Sequence, residues 1–433
     1  MNLVGGALAS DDKINPKKIL ERRYLYFALT ALRYRQLREQ YPDNDMADLK
    51  VQAVEDLHKR AVDEKSNVEL RVEMQRMLAP QVMDTFLAFD SVDQSLFSAT
   101  ADNDVSSSMS SQEFFSTLDW DRLLDILQQE EQETVSQLER TKRQATTQVV
   151  EAQRSLPFLK MKFGALETLL HFHELRADPP TMTTDGIDYF GMSIDSIKEN
   201  NRRTRTIRMY QTINMCRSAL IREALGYSVL CLRSTIAGGG RGTFIDGDKA
   251  VTGSLVAFQP GDIWPKEHLL TSAPDVMDHF ADSDEDCQTS LRFDDYVLDS
   301  RTSPVTILTR DGSMNPWALG HMVNHPAAET LPNCQSLMLD YTEKMGLREL
   351  MRYIPNVYAR PPGWQSRVFD PEPVVMHSMC LLARRDIKNE ELFYDYRLQS
   401  SETPEWYIPV SYGDEFLDKE QIVFFRDDWK KSK

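Results

Sequence analysis

Val374-Val375-Met376-His377-Ser378-Met379-Cys380-Leu381-Leu382-Ala383 runs directly into Arg384-Arg385-Asp386-Ile387-Lys388-Asn389-Glu390-Glu391-Leu392-Phe393-Tyr394-Asp395-Tyr396. The first ten residues are mostly apolar with no helical spacing, which predicts a buried strand. The second stretch ends on two tyrosines two apart, and an extended chain projects such a pair to one face. Phenols so placed can line a channel, or accept and donate around a reacting amine. A strand end capped by acidic residues is the plainer alternative.

Upstream, short apolar runs alternate with Gly, Pro and Asp turns from Tyr227 onward, the pattern of a small, irregular β-rich domain. Within it Gly238-Gly239-Gly240-Arg241-Gly242-Thr243-Phe244 stands out. Glycines at 240 and 242 would let backbone N–H groups approach a ligand closely, with Phe244 starting a strand. A tight hairpin turn explains the run equally well. It is not a phosphate loop, because no Gly-Lys-Ser/Thr follows.

The first half reads as helix. Asn15-Pro16 is a start signal, followed by Ile19, Leu20, Tyr24, Phe27, Ala28, Ala31 and Leu32 at helical spacing until Pro42. A second helical stretch, about 46–78, is expected to stop before Pro80. Residues 99–112 are serine-rich and read as a linker. Ser116 with Asp119 forms a capping pair for a long charged helix. In it Val135, Leu138, Ala145, Val149, Ala152 and Leu156 hold heptad positions up to Pro157. Packing in a helix bundle and self-association through 116–156 are the two readings of that seam. A polar loop at Asp178-Pro179-Pro180 precedes one more helix, about 195–225.

The fold class is therefore α+β. Residues 1–98 form an N-terminal helical region, 99–112 a linker, 113–225 long charged helices, 226–397 the β-rich domain and 398–433 an aromatic tail. Residues 1–180 are expected to be a separable helical unit.

A length of 433 residues suggests two or three folded units, and 41% hydrophobic residues suffice for real cores. With 67 acidic against 50 basic residues the net charge is −17, which argues against a DNA-coating protein and for no direct nucleic-acid partner. Five cysteines without a C-x-x-C pair exclude a disulfide framework or a zinc knuckle, so no metal is expected. The opening residues lack a basic n-region, and no apolar run approaches a membrane span. An intracellular protein, nuclear or cytoplasmic, is expected. His171-Phe172-His173-Glu174 has i, i+2 spacing, which splays two rings on a helix and favours an ordinary helix surface. Arg202, Arg205 and Arg208 share a helix face, better read as salt-bridged than as phosphate-binding.

Three motifs, in order over about 165 residues, resemble the SET-domain methyltransferases. Gly240-Arg241-Gly242 stands where that family has Gly-x-Gly, followed by Phe258-Gln259-Pro260-Gly261-Asp262 for its aromatic-x-Gly-Glu turn. His321-Met322-Val323-Asn324-His325, then Pro332-Asn333, is similar to Arg-Phe-Ile-Asn-His-Ser-Cys-x-Pro-Asn. Glu390 to Tyr396 is close to Glu-Glu-Leu-Thr-Tyr-Asp-Tyr. The likeness covers about residues 220–397. His321 and Met322 replace the family's Arg and Phe, Pro326 and Ala327 its Ser-Cys, and Arg397 stands where glycine is usual.

The resemblance implies small sheets with knot-like C-terminal threading, and S-adenosyl-L-methionine-dependent transfer to a protein lysine. Cofactor contacts would come from Gly240, Arg241, Gly242, Asn324, His325 and Tyr396. The catalytic residues would be Tyr396, beside the transfer axis, and Tyr394, a switch restricting the product to mono- or dimethyl-lysine. Without the family's zinc-binding tail, the aromatic residues Trp406, Tyr407, Tyr412, Phe424, Phe425 and Trp429 would close the lysine channel. The alternative is a catalytically inactive SET-fold interaction module.

Overall fold

A computed structural model describes residues 16–60, 64–96, 118–146, 150–175, 201–269, 289–301, 315–328, 330–363, 373–397, 406–408 and 410. The architecture is α+β, with long helices in the first half and small sheets in the second. The helices are α1 (Pro16–Gln40), α2 (Met46–Lys59), α3 (Asn67–Leu96), α4 (Trp120–Thr146), α5 (Val150–Leu175) and α6 (Asn201–Leu225). None is long and apolar enough to cross a membrane. The 99–112 stretch, Ser116 and residues 195–200 lie outside the described residues, as does nearly all of 398–433.

Several expected helix ends move. The stretch about 46–78 is two helices, and α3 runs on through Pro80 to Leu96. Likewise α5 contains Pro157 instead of ending before it. A proline inside a helix removes one i→i−4 bond and costs about 3 kcal/mol. Val82, Phe86, Phe89, Val92 and Leu96 lie buried beyond Pro80, and Phe158, Leu159, Leu166 and Leu169 beyond Pro157. Burying each such side chain contributes roughly 1.5–3 kcal/mol, which outweighs the lost bond. The cap of α4 is Asp119 itself, whose Oδ1 accepts from Arg122 N at 3.1 Å. The heptad seam spans two helices, α4 and α5, and Leu138 and Ala152 are buried within the chain.

The strands are β1 (Tyr227–Arg233), β2 (Arg241–Gly247), β3 (Leu255–Gln259), β4 (Gly261–Trp264), β5 (Thr289–Leu291), β6 (Val297–Asp299), β7 (Cys334–Thr342), β8 (Asn356–Tyr358) and β9 (Val374–Ala383). They form a β1–β2 hairpin, an antiparallel sheet β3-β9-β7, and a sheet β5-β6-β4-β8 in which only β4 and β8 run parallel. The stretch 374–383 is the central strand of its sheet, buried from His377 to Ala383. That position accounts for its continuous apolar run.

One apolar core joins the helices to the strands, so the expected separable unit over 1–180 is not what the chain forms. Phe86 of α3 sits 5.3 Å from Phe258 and 6.0 Å from Tyr341, ring to ring. Phe89 meets Trp317 edge-on at 5.5 Å. Gln81 extends the β3 edge with its side-chain amide, donating to Gly253 O and accepting from Leu255 N, both at 3.0 Å. Gly253 has φ +84, and a Cβ there would collide with the Ala31 carbonyl of α1.

Candidate functional site

Antiparallel pairing of β1 with β2, from Tyr227↔Gly247 to Arg233↔Arg241, presents the glycine run as the connecting loop 234–240. Ser234 N donates to Gly240 O at 2.9 Å and closes it. Gly240 has φ +62, a left-handed conformation that glycine adopts without strain. Gly242 is needed for a different reason: a Cβ would run into the Glu391 carboxylate. The group that approaches Gly242 closely is therefore a side chain of this protein.

Glu391 is 2% exposed and is the hub of the cluster. Its carboxylate accepts from Ser234 Oγ and Thr235 N, both at 2.7 Å, and from Thr235 Oγ1. Asn324 Nδ2 donates to it at 3.0 Å, and also reaches Arg241 O at 2.8 Å and Ser234 Oγ at 3.1 Å. In the sequence Glu391 stands only as one of the acidic residues at a strand end. The available signal was a glutamate beside apolar Leu392-Phe393, with the donors Ser234-Thr235 ahead of the glycine run.

The two C-terminal motifs lie side by side. Asn324 bridges Phe393 in parallel, and Tyr394 N donates to Asn324 O at 3.1 Å. Asn333, almost fully buried, donates to Glu391 O and accepts from Phe393 N, each at 2.7 Å. Tyr396 Oη donates to Val323 O at 2.9 Å, while Tyr396 N donates to His325 Nδ1 at 3.3 Å. With Nδ1 accepting, the proton belongs on Nε2, which donates to Ile408 O at 2.7 Å. His325 is thus a brace between two backbone segments, with Asp395 Oδ1 at 3.9 Å.

The tyrosine rings at 394 and 396 stand 4.9 Å apart, as the same-face spacing requires. Trp406 meets Tyr396 edge-on at 6.3 Å, and Tyr407 lies 4.6 Å from His325. Of the expected aromatic closure, these two residues reach the cluster; Tyr412, Phe424, Phe425 and Trp429 lie outside the described residues. Arg397 takes φ +52, which explains why glycine would be comfortable there. Asp395 Oδ1 accepts from its N–H at 3.1 Å, and its guanidinium lies 3.5 Å from the Tyr24 ring centre.

His321 is a further residue of this place, noted in the sequence only as a departure. Both ring nitrogens are sealed from solvent and lack a hydrogen-bond partner, as does Arg241 Nη1. Burial pushes the imidazole down to about 4, and the Arg241 charge acts in the same direction. An unsatisfied buried polar group costs roughly 1–3 kcal/mol, a cost that a polar ligand reaching these atoms would relieve. The free methionine carboxylate and amine of S-adenosyl-L-methionine are groups of the kind that would satisfy such atoms.

Other sequence candidates are used differently. His173 bonds Thr212 Oγ1 at 2.9 Å, and Arg208 is buried with Nη1 on Gln211 Oε1 at 2.9 Å. The side chains of Arg202 and Arg205 lie outside the described residues. Asp294, Asp340 and His377 converge within 4.8 Å, but the Arg292 guanidinium already pairs the two carboxylates, at 2.7 and 2.6 Å. Two grooves flanking α3, of about 590 and 700 Å³, share Val72 and Arg76; no residue of the Glu391 cluster lines either one.

No family model matches the chain, and no curated protein matches it.

Proposed function

We propose that this is a SET-type methyltransferase that moves a methyl group from S-adenosyl-L-methionine to a lysine of a protein substrate. The observation that carries the proposal is the convergence of three separated motifs on one buried carboxylate: the glycine loop, Asn324 and the 391–396 segment meet at Glu391. The order of those motifs supports the SET topology, with its knot-like threading.

S-adenosyl-L-methionine, when bound, supplies an electrophilic methyl group. Arg241 and His321 would hold its polar end, and the backbone around Gly240, Asn324 and His325 would frame the rest. Transfer needs a neutral amine, whereas a free lysine has a pKa of about 10.4. An apolar channel favours deprotonation, because burial penalises the ammonium form. Tyr396 spends its hydroxyl proton on Val323 O, which leaves its oxygen lone pairs as acceptors for the amine N–H. Tyr394, beside it, limits the space for further methyl groups and favours mono- or dimethyl-lysine.

A second reading, an inactive interaction module, draws on one observation: Asn324 Nδ2 and the space at Gly242 are both occupied by the chain's own groups. Calorimetric titration with S-adenosyl-L-methionine separates the two. Saturable binding is expected, weakened about tenfold or more in Asn324→Ala as the loop loses its tie. No heat from folded protein would favour the module.

A further inference from the structure

We propose that the face of α5 carrying Ser155, Phe158 and Lys162 is a positioning element for this site, with Lys162 as its anchor. These residues, spaced i, i+3 and i+7, lie along one side of the helix. Each reaches a different part of the frame around Glu391. Ser155 Oγ donates to Lys388 O at 3.4 Å, in the turn leading to Glu391. Phe158 stacks on Phe244 at 5.6 Å, and Phe244 bridges Glu391. Lys162 Nζ, on a side chain 1% exposed, donates to both carboxylate oxygens of Asp246 at 2.9 Å and pairs Glu130 at 2.9 Å.

Asp246 belongs to β2, the strand that leaves the glycine loop, and the next residue, Gly247, donates its N–H to Asn389 Oδ1 at 3.2 Å. Arg222 closes the cluster from α6, bonding Asp246 at 3.2 Å and also Glu130. Net stability is a poor explanation for such a buried ionic group, since desolvation offsets most of the Coulomb gain. Directional bonds add something an apolar contact lacks: they fix Asp246, and with it β2, at one point. The anchor comes from a helix outside the 226–397 segment that holds every motif.

The test compares Lys162→Met with Asp93→Asn, which disturbs another buried ion pair in the same core, Arg217–Asp93 at 2.8 Å. Hydrogen exchange is read at Ser234, Thr235, Ile245 and Leu392, whose N–H groups bond Gly240 O, Glu391, Glu390 O and Thr243 O. Lys162→Met should speed exchange there about tenfold relative to the rest of the sheets, and Asp93→Asn should not. Equal effects of the two variants would overturn the proposal. Should Lys162→Met fail to fold, Phe158→Leu carries the same expectation and the same overturning result. The ligand arm, a parallel rise in the dissociation constant for S-adenosyl-L-methionine, rests on the methyltransferase reading. If the wild type binds none, that reading fails while the exchange contrast still decides the positioning role.

Discussion

His321 shows how one side chain links the site to the stability of the fold. Its folded-state value of about 4 lies below the ordinary histidine value of about 6.5, so the unfolded chain binds more protons between the two. Stability is therefore fully present above about 6.5 and is lost as pH falls towards 4. His173, also held at about 4 by burial, adds to the same slope. Asp386 and Asp294, held near 2, contribute losses only below the usual carboxylate range. Denaturant midpoints from pH 7 to pH 4 should fall, and His321→Asn should flatten part of that slope; an unchanged slope would contradict a buried neutral imidazole. The sequence displayed His321 merely as a substitution, because burial depends on Arg241 and the hairpin folding over it. Tyr394 and Tyr396 were legible, since alternation along an extended chain is a local property. Glu391 was not, because its donors come from positions 234, 235 and 324.

Among the elements, β9 and the β1–β2 hairpin follow from their own residues, whereas the lengths of α3 and α5 do not. Proline is a reliable local stop only where no further apolar surface waits to be buried. Beyond Pro80, Phe86 and Phe89 find Phe258, Tyr341, Tyr353 and Trp317, all distant in sequence. The contact of α1 with the residues before β3 gives a sharp test. Gly253→Ala puts a Cβ against the Ala31 carbonyl at a positive φ, and should destabilise the protein by roughly 2 kcal/mol or more. A chemical-denaturation midpoint equal to that of wild type would mean that α1 does not sit against Gly253.

Across the whole molecule, the change from helix to strand between Leu225 and Tyr227 stands where the sequence shows it, yet the core ignores that boundary. Periodicity reports which face of an element is apolar, not which other face will cover it. That is why the helical half looked separable while α3 fills the space beside β3 and β7. The same integration sets Lys162 against Asp246 of β2, in the frame around Glu391, and Asp93 against Tyr353, away from that frame. The most direct measurement is methyl transfer from isotope-labelled S-adenosyl-L-methionine to a whole-cell lysate, with product lysines identified by mass spectrometry for wild type and Tyr396→Phe. Mono- or dimethyl-lysine from the wild type is expected, with a rate about 10²-fold lower when the Tyr396 hydroxyl is removed. Trimethyl-lysine from the wild type, full activity in Tyr396→Phe, or no transfer by folded protein that binds the cofactor would contradict it.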